Sequence, residues 1–553
     1  MTTAFPANER TKRLEDMAAT EQDVLVIGGG ITGAGIALDA AARGLKTGLI
    51  DMQDFGAGTS SRSTKLVHGG LRYLKQLEVK LVAEVGKERA IVYENAPHVT
   101  TPEWMLLPLI EGGTFGRTST SLGLKVYDLL AGVKKDERRY MLSKDETLQK
   151  EPLLKTDGLK GGGIYVEYRT DDARLTVETM KKAEELGTDA VNHAKVTDFI
   201  YHGTQAVGVY VSDQITGETY EIYAKEIVNA AGPWVDTLRE KDGSKQGKYL
   251  HLTKGVHVVF DRERFPLSQA VYFDVPDGRM VFAIPRGNKT YVGTTDTVYD
   301  GDIANPRMTD EDLEYLIEAS SAMFPELALT RDDVESSWAG LRPLIHEEGK
   351  SASEISRKDE VFISDSGLIS IAGGKLTGYR KMAERIVDLL CERKGIHAPC
   401  PTADIPLSGG EVNGSTGFSS YIEKAASEGE ALGLTREEAE ETAKFYGSNA
   451  PVVFDLMITW EKTAEKHGLS RFAAGQLAYG VLHESAATAL DILNRRTGWL
   501  FFDMPYVLNN QDRLLTFMGE ILNWDEARLA AENEALSAEI EHLRTPEPVL
   551  AHA

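Results

Sequence analysis

The stretch "DVLVIGGGITGAGIALDAAARGLKTGLID", residues 23–51, carries the pattern that decides the fold. An apolar run, typical of a strand buried on both faces, leads into Gly28, Gly30 and Gly33. The small residues that follow favour a helix, and "LKTGLI" predicts a second buried strand that closes at Asp51. A lone GxGxxG is weak evidence, but strand, glycines, helix, strand and acid in this order predict a βαβ unit that binds a dinucleotide.

Each part of this unit has a physical task. Gly28 permits the tight turn, Gly30 lets a pyrophosphate approach the backbone, and Gly33 lets the helix pack close to the strand. The helix N-terminus offers N–H groups and the positive end of its dipole to phosphates. Asp51 can accept hydrogen bonds from ribose hydroxyls.

The residues beyond this unit favour a flavin over a nicotinamide. In "TSSRSTKLVHGGLRYL", residues 59–74, clustered serine and threonine hydroxyls can bond a diphosphate or a ribityl chain. This loop leaves the second strand at its carboxyl end, where doubly wound sheets hold ligands. Two further apolar strands, within 220–236 and 367–390, end in small residues and are expected to join the same sheet. A nicotinamide dehydrogenase and a non-enzymatic nucleotide-binding scaffold are the alternatives.

Composition bounds the class of protein. The 553 residues suggest two to four domains, and 42% apolar with 26% charged residues is the composition of a soluble globular protein. The net charge of −24 makes nucleic acid and anionic lipid unfavourable default partners. Two cysteines form no disulfide framework and no zinc spacing, so no metal is expected and a reducing cytoplasm is the simplest interpretation. The N-terminus resembles neither a signal peptide nor a transit peptide.

Several motifs together resemble one family. "VIGGGITGAGIALDAAARGL", "TSSRSTKLVHGGLRYL", "NAAGPWVD", "VGTTDT", "WAGLRPL", "ISR" and "AGGKLTGYR" resemble, in order, the FAD-dependent glycerol-3-phosphate dehydrogenases of bacteria. The resemblance runs from about residue 20 to about residue 390, and more loosely to about residue 540. It implies an α/β fold with a Rossmann-like FAD-binding domain of the glycine-oxidase and amino-acid-oxidase type. A mixed-sheet substrate domain and a helical C-terminal cap domain complete the expected architecture.

The same resemblance implies the reaction. Such enzymes oxidise sn-glycerol 3-phosphate to dihydroxyacetone phosphate by hydride transfer from C2 to FAD, and their electrons pass to a quinone or another acceptor. An oxygen-using glycerol-3-phosphate oxidase and an amino-acid-type flavin oxidase are the alternatives. No EF-hand loop occurs in the sequence, so calcium control is not implied.

The predicted domains are discontinuous. The FAD-binding domain is assigned to 20–90, 190–250 and 345–395, and the substrate domain to 91–189 and 251–344. Residues 396–405 and the glycine- and serine-rich 406–420 are predicted as linkers. The helical C-terminal domain is assigned to 421–545, where Thr435 and Glu438 form a capping box.

The motifs and the resemblance predict the site residues. His257 is the expected base, with His68 as a rival, because imidazole titrates near neutral pH. Arg342 is placed with it as a catalytic residue, and Arg72, Tyr73, Arg357 and Lys375 are expected to bind the phosphorylated substrate. The residues expected to bind the cofactor are Gly28, Gly30, Gly33, Asp51, Ser60, Ser61, Thr64, His68, Gly69, Gly70, Ala231, Gly232, Gly374, Lys375, Leu376 and Thr377.

Partners outside the site are less defined by the sequence. Resemblance implies a cytoplasmic protein that is peripheral on the inner face of the cell membrane. The basic cluster "VKKDERRYML", residues 133–142, is the candidate lipid contact, although a solvated face is the simpler interpretation. An apolar face within 524–544 indicates a docked terminal helix, with a homodimer contact as the alternative.

Overall fold

The structure is a computed structural model that describes residues 4–67, 79–113, 125, 138–348 and 358–547. Its strands are β1 (Gln22–Ile27), β2 (Thr47–Ile50), β3 (Leu66–Val67), β4 (Thr100–Ile110), β5 (Tyr140–Leu142), β6 (Leu159–Thr170), β7 (Asp189–Val191), β8 (Ala194–His202), β9 (Gln205–Asp213), β10 (Thr219–Asn229), β11 (Lys248–Asp261), β12 (Ala270–Asp274), β13 (Met280–Arg286), β14 (Lys289–Gly293), β15 (Thr297–Val298), β16 (Val334–Glu347), β17 (Glu360–Ile363) and β18 (Ile369–Ala372). Its α-helices are α1 (Arg10–Ala19), α2 (Ile31–Ala42), α3 (Val79–Asn95), α4 (Lys144–Lys150), α5 (Asp172–Glu185), α6 (Val235–Lys241), α7 (Asp310–Met323), α8 (Tyr379–Lys394), α9 (Gly414–Ala431), α10 (Arg436–Tyr446), α11 (Ala450–Thr459), α12 (Glu461–His467), α13 (Arg471–His483), α14 (Trp499–Phe502), α15 (Met504–Leu522) and α16 (Glu526–Arg544).

The first sheet is built around the predicted βαβ unit. Its order is β17–β18–β10–β1–β2–β7, and β1 pairs in parallel with β2 on one side and with β10 on the other. Ile27, the last residue of β1, lies opposite Ile50 and Asn229. The chain therefore changes direction across the sheet between β1 and β10, and open α/β sheets bind ligands at such a switch point.

Helices α2, α5 and α8 cover one face of the first sheet and share its apolar core. Helix α5 packs against α2, and β7 follows it into the same sheet. Helix α5 therefore packs on the first sheet, although it lies in the segment 91–189 that is predicted to belong to the substrate domain. Helix α5 buries apolar side chains against α2, and this helix–helix contact cannot be predicted from a local sequence motif.

The second sheet is mixed. Its order is β15–β11–β14–β13–β12–β4–β6–β3, with β16 paired to β11 and β5 paired to β6. All of these pairs are antiparallel except β12 with β4. The long β11–β16 pair places Gly255 opposite Gly340 and His257 opposite Trp338. This sheet, the first sheet and the C-terminal helices confirm the predicted α/β fold class.

The C-terminal helices dock on strand β16. The predicted capping box is confirmed, since the Thr435 hydroxyl accepts from the Glu438 N–H at 3.2 Å. The terminal helix α16 buries the apolar side chains of Leu536, Ile540 and Leu543, and the Ser337 hydroxyl donates to the Leu543 carbonyl at 2.8 Å. This face of α16 is therefore used within the chain, as expected of a docked helix.

The glycine-rich segment predicted as a linker is closely packed. Helix α9 already begins at Gly414, and Leu407 and Val412 are buried. A side chain on Gly410 would collide with the Asn95 carbonyl group, whose carbon would lie 3.1 Å from the added Cβ. These glycines thus permit close backbone approach to the loop after α3.

A buried ionic network joins the C-terminal helices to the first sheet. The Arg496 guanidinium donates to both carboxylate oxygens of Asp54 at 2.8 Å, and Arg495 donates to one of them at 2.5 Å. His193 contacts Asp491 at 2.9 Å in the same cluster. The acids and the imidazole lie close enough to hold a metal ion, but the guanidinium groups already neutralise the carboxylates.

Among the helices described, none combines the length and the apolar character that crossing a membrane requires.

Candidate active site

A cavity of about 550 Å³ opens at the carboxyl ends of β1 and β10. It is lined by the turn after β1, the loop that follows β2, the turn after β10 and the turn after β18. These stretches are distant in sequence and meet because their strands are parallel neighbours. The cavity therefore occupies the place where the sequence predicts a dinucleotide.

The motif glycines have the predicted steric roles. Gly28 has φ +112°, and a Cβ there would lie 2.5 Å from the Ala230 carbonyl oxygen. A Cβ on Gly33 would lie 3.0 Å from the carbonyl carbon of Gly28, so this glycine sets the close packing of α2 on β1. Gly30 lines the cavity as the N-cap of α2, and it offers no side-chain oxygen to the first N–H groups of the helix. Those donors suit a pyrophosphate.

Asp51 lines the same cavity with a partly buried carboxylate. One oxygen accepts from the Gly29 N–H at 2.5 Å, and the other accepts from the Gln53 N–H at 2.8 Å. Burial raises the pKa of Asp51 to about 6, although these N–H donors oppose the shift. Hydroxyl donors from a ribose would stabilise this desolvated carboxylate, so the residues here fit a dinucleotide.

The hydroxyl-rich loop after β2 divides its residues between different tasks. Ser60 lines the cavity and accepts from the Ile31 N–H at 3.0 Å, which fixes the loop against the start of α2. Ser61 is buried and does not line the cavity; its carbonyl accepts from Lys65 at 3.0 Å. Thr64 lies farther along, in a second cavity.

The two later turns complete the large cavity. Ala231 and Gly232 line it after β10, and Gly374, Lys375 and Leu376 line it after β18. Gly374 has φ +83°, and a Cβ there would lie 2.5 Å from the sulfur of Met382. The turns after β1, β10 and β18 that the sequence assigns to the cofactor therefore line one cavity.

A second cavity of about 150 Å³ adjoins the first. Thr59, Ser63, Lys375 and Leu376 line both cavities, so the two spaces share a wall. The second cavity brings together His257 and Arg342, which come from paired strands of the second sheet, with Thr64 and Thr377, which come from the segments before β3 and after β18. A base and cations thus lie beside the larger cavity.

His257 is held rigidly in this second cavity. It is 2% exposed, its ring stacks on Trp338 at a centroid distance of 4.7 Å, and its Nε2 lies 3.0 Å from the Thr64 hydroxyl. Burial, with the positive charges of Arg342 and Lys65, holds the pKa of the imidazole well below its usual range. The ring is therefore neutral near pH 7 and able to accept a proton.

The Arg342 side chain occupies space in the second cavity that is open because the neighbouring strand has a glycine, Gly255, at this position. Its Nη2 donates to the Thr294 hydroxyl at 3.0 Å and to the Thr295 carbonyl at 3.2 Å, and its Nη1 contacts Asp296 at 3.1 Å. Gly255 faces the guanidinium, and a Cβ there would lie 2.8 Å from its Cζ. Polar contacts on one side orient the planar fork, which can pair with phosphate oxygens.

Part of the predicted site lies outside the described residues. This applies to His68, Gly69, Gly70, Arg72, Tyr73 and Arg357, and also to residues 133–137 of the basic cluster 133–142. Their roles stay predictions.

Other residues at the site were not predicted. Thr294 and Asp296 orient Arg342 although "VGTTDT" shows only a strand followed by polar residues. Trp338 stacks on His257 from the facing position of β16, and Arg62 lines the second cavity. These four residues lie inside motifs that the sequence analysis recognised, but a motif alone does not show which side chains contact one another.

The groups that line the two cavities indicate which reaction the site could support. The larger cavity presents backbone donors and an acid that could accept from ribose hydroxyls, as a dinucleotide requires. The smaller one presents a neutral imidazole and cations, as proton removal from an anionic substrate requires. A redox reaction on such a substrate, next to a bound dinucleotide, is consistent with both.

Comparisons with known families agree with this geometry. Residues 23–380 match the family described as FAD dependent oxidoreductase, and residues 400–529 match the C-terminal domain of alpha-glycerophosphate oxidase. The aerobic glycerol-3-phosphate dehydrogenase of Bacillus subtilis is 60% identical over 538 residues, which cover 96% of this chain and 97% of that protein. The enzyme of the same name from Staphylococcus haemolyticus is 57% identical over 515 residues, which cover 92% of each.

Solved structures extend the comparison. The glycerol-3-phosphate dehydrogenase from Bacillus halodurans, complexed with FAD, has a TM-score of 0.87 and 52% identity, and the match covers 98% of this chain and 99% of that one. The L-alpha-glycerophosphate oxidase from Mycoplasma pneumoniae has a TM-score of 0.54 and 20% identity, over 67% of this chain and 95% of that one. The latter shows a likeness of fold alone.

Proposed function

Because this chain belongs to the FAD-dependent oxidoreductases and, within them, to the aerobic glycerol-3-phosphate dehydrogenase family, we propose that it oxidises sn-glycerol 3-phosphate to dihydroxyacetone phosphate. The single observation that supports this most is the second cavity. It joins a neutral imidazole to Arg342 and Lys375 and shares a wall with the cavity that fits the dinucleotide.

FAD, when bound, supplies the acceptor for the hydride that leaves C2 of the substrate. Gly28, Gly30 and Asp51 would hold its diphosphate and ribose, and the turn at Gly374 and Lys375 would face the rest of the cofactor. Substrate and cofactor would then lie in adjoining cavities that meet at Thr59, Ser63 and Leu376.

His257 is the base for the C2 hydroxyl in this proposal. Because the Thr64 hydroxyl lies 3.0 Å from Nε2 at the cavity, we propose that it gives its own proton to Nε2 and takes the proton of the C2 hydroxyl in its place. The contact fixes the orientation of the ring, and stacking on Trp338 removes the remaining freedom. A base held in one orientation lowers the entropic cost of the reactive geometry.

Arg342 and Lys375 bind the phosphate, and the predicted Arg72 and Arg357 join them. Substrate binding then has an electrostatic consequence for the base. The phosphate dianion offsets positive charge that lowers the pKa of His257, so the imidazole becomes a stronger base once substrate is bound. Neutral glycerol would give neither the binding nor this effect.

The proposed electron acceptor is a quinone, with the protein peripheral on the cytoplasmic face of the membrane. The word "aerobic" in the names of the relatives and the sequence resemblance support this choice. An oxygen-using oxidase is the second candidate, because residues 400–529 match a domain described from alpha-glycerophosphate oxidase.

Anaerobic mixing tests the substrate. We expect glycerol 3-phosphate to bleach the flavin of the purified holoenzyme, and glycerol or glycine to leave it oxidised. Bleaching by glycine alone would make the protein an amino-acid-type oxidase, and a chain that retains no FAD after reconstitution would contradict the flavoenzyme assignment.

Turnover with different acceptors tests the rest of the proposal. We expect fast turnover with a soluble quinone analogue and slow turnover in air. Stoichiometric peroxide at full speed in air, without quinone activity, would favour the oxidase and remove the reason for a membrane contact.

A further inference from the structure

A buried ion pair lies directly behind the proposed base. The Lys65 ammonium contacts one oxygen of Asp172 at 2.6 Å, and the two side chains are 3% and 0% exposed. The same ammonium donates to the Ser61 carbonyl at 3.0 Å and lies 5.3 Å from the centre of the Trp338 ring, on which His257 stacks. The buried ammonium thus lies over the ring on which the imidazole stacks.

The other oxygen of Asp172 anchors the loop that carries Thr64. It accepts from the Ser63 N–H at 3.0 Å and from the Ser63 hydroxyl at 2.7 Å. The Ser63 carbonyl in turn accepts from the Trp338 indole at 3.1 Å. Lys65 itself has φ 58°, a left-handed conformation that a lysine adopts only where its surroundings enforce it.

We infer that Lys65 and Asp172 are positioning residues for His257, an inference that rests on the proposed function of His257 as the base. The carboxylate of Asp172 holds the loop so that the Thr64 hydroxyl meets the imidazole Nε2. The ammonium of Lys65 neutralises that carboxylate and keeps a positive charge beside the imidazole.

The groups that face His257 come from several elements. Lys65 faces it from the loop before β3, Arg342 and Trp338 from β16, and Tyr291 from β14 at a ring distance of 6.4 Å. Lys375 and Arg62 line the same cavity. Burial is the main reason for the lowered pKa of His257, and Arg342 and Lys65 are the charges that add to it.

The test is the pH dependence of kcat/KM, measured from anaerobic flavin bleaching by glycerol 3-phosphate in holoenzyme. In Lys65→Gln, loss of the positive charge makes the protonated imidazole less unfavourable, so we expect the acid limb to move to higher pH. Loosening of the loop should also lower the limiting rate of bleaching by about 10- to 100-fold, while the glycerol 3-phosphate concentration at half this rate changes less. Lys65→Arg keeps the charge and should retain the wild-type acid limb.

Lys254→Gln is the matched control. Like Lys65, Lys254 forms a buried ion pair: it contacts Asp312 at 2.7 Å, and the two side chains are 6% and 4% exposed. It lies on β11 with His257 but three residues away, so its side chain is on the opposite face of the strand. A general effect of breaking a buried pair would appear in this variant too. The substrate phosphate titrates near pH 6 in every variant, so the difference between the two profiles isolates the enzyme group.

Asp172→Asn provides an independent variant with the opposite sign. It removes the negative charge behind Lys65, so its acid limb should move to lower pH, and it replaces an acceptor of two Ser63 bonds. It carries the test if Lys65→Gln retains no FAD. An acid limb in Lys65→Gln that coincides with that of Lys254→Gln, or a shift to lower pH, would overturn the inference. Failure of the wild type to be bleached would instead contradict the proposed function.

Discussion

The guanidinium of Arg342 fills the space that a side chain at Gly255 would need. The added Cβ would lie 2.8 Å from Cζ of Arg342, which is far inside van der Waals contact. Gly255 faces Gly340 across the β11–β16 pair, and a Cβ on Gly340 would lie 3.0 Å from the carbonyl carbon of Arg62. The absence of a side chain at Gly255 therefore makes room for the Arg342 guanidinium, and its absence at Gly340 makes room for the loop at Arg62.

Gly255→Ala should displace the Arg342 guanidinium without changing its charge. Because a shift of about 1 Å at a reacting group can cost up to about 100-fold, we expect kcat/KM to fall by about 10- to 100-fold. Steady-state kinetics with a quinone analogue, on variants with equal FAD content, measure this. Gly378→Ala is the control, since a Cβ there meets no atom within 4 Å; equal kinetics in both variants would contradict the steric role of Gly255.

Removal of the cation itself should have a larger effect. Arg342→Ala should raise KM and lower kcat/KM by the equivalent of about 2–4 kcal/mol, because the substrate phosphate loses a charged partner. Arg357→Ala is expected to behave alike. Arg331→Ala removes an arginine from an exposed pair with Asp310 and serves as control. Wild-type kinetics in Arg342→Ala with full FAD content would remove this residue from the substrate site.

Acid should destabilise the fold partly through His98. Burial, assisted by Arg174 and Lys181, lowers the pKa of His98 from 6.5 to about 3. Above the ordinary value the imidazole is neutral in both states; as pH falls below it the unfolded state binds the proton first, so stability is lost progressively towards the folded pKa. Thermal unfolding at about pH 7.5 and about pH 5.5 should show a smaller loss in His98→Gln than in wild type. His202→Gln, at an exposed position, should match wild type, and an identical loss in all three proteins would exclude this contribution.

Asp54 should be important for docking of the C-terminal helices. Arg496 and Arg495 outweigh the opposing effect of burial and hold the pKa of Asp54 below its ordinary value. Asp54→Asn deprives the buried Arg496 of the carboxylate that both of its Nη groups contact and leaves Arg495 paired with Asp491 alone, so we expect a loss of about 3–5 kcal/mol in the free energy of unfolding.

FAD retention should fall in the same variant, because Asp54 follows Asp51 and Gln53 at the wall of the larger cavity. Asp388→Asn is the matched control: its pair with Arg43 has a 58% exposed carboxylate, and its loss should cost less than about 1 kcal/mol. Equal unfolding temperatures in the two variants would exclude Asp54 as a docking residue.

The cofactor side of the site was largely predictable. Gly28, Gly30 and Asp51 follow one another in a single βαβ unit, and Gly374 follows an apolar strand of the same kind. Such signals are local: a strand, a turn and a helix need only the residues that form them. The capping box at Thr435 was predictable for the same reason.

The substrate side was predictable only as a set of residue types. His257 and Arg342 stand out in the sequence, but Lys65, Trp338 and Thr294 do not, because their meaning depends on cross-strand neighbours that lie far away in the chain. The same limit applies to α5, which joins the first sheet through a helix–helix contact, and to the tight packing of the segment predicted as a linker.

The sequence by itself determined the βαβ unit and the glycine-bearing turns that follow its strands, since short-range pattern and backbone freedom decide these; the mixed second sheet was expected only from the resemblance to a known family. Tertiary structure alone decided that Gly255 makes room for Arg342, that Trp338 stacks on His257, and that Asp172 holds the Thr64 loop. The physical reason is that strand register and helix packing bring together groups that lie far apart in the sequence. Only when these groups are packed together are they shielded from water, and this burial is what changes properties such as the pKa of His257.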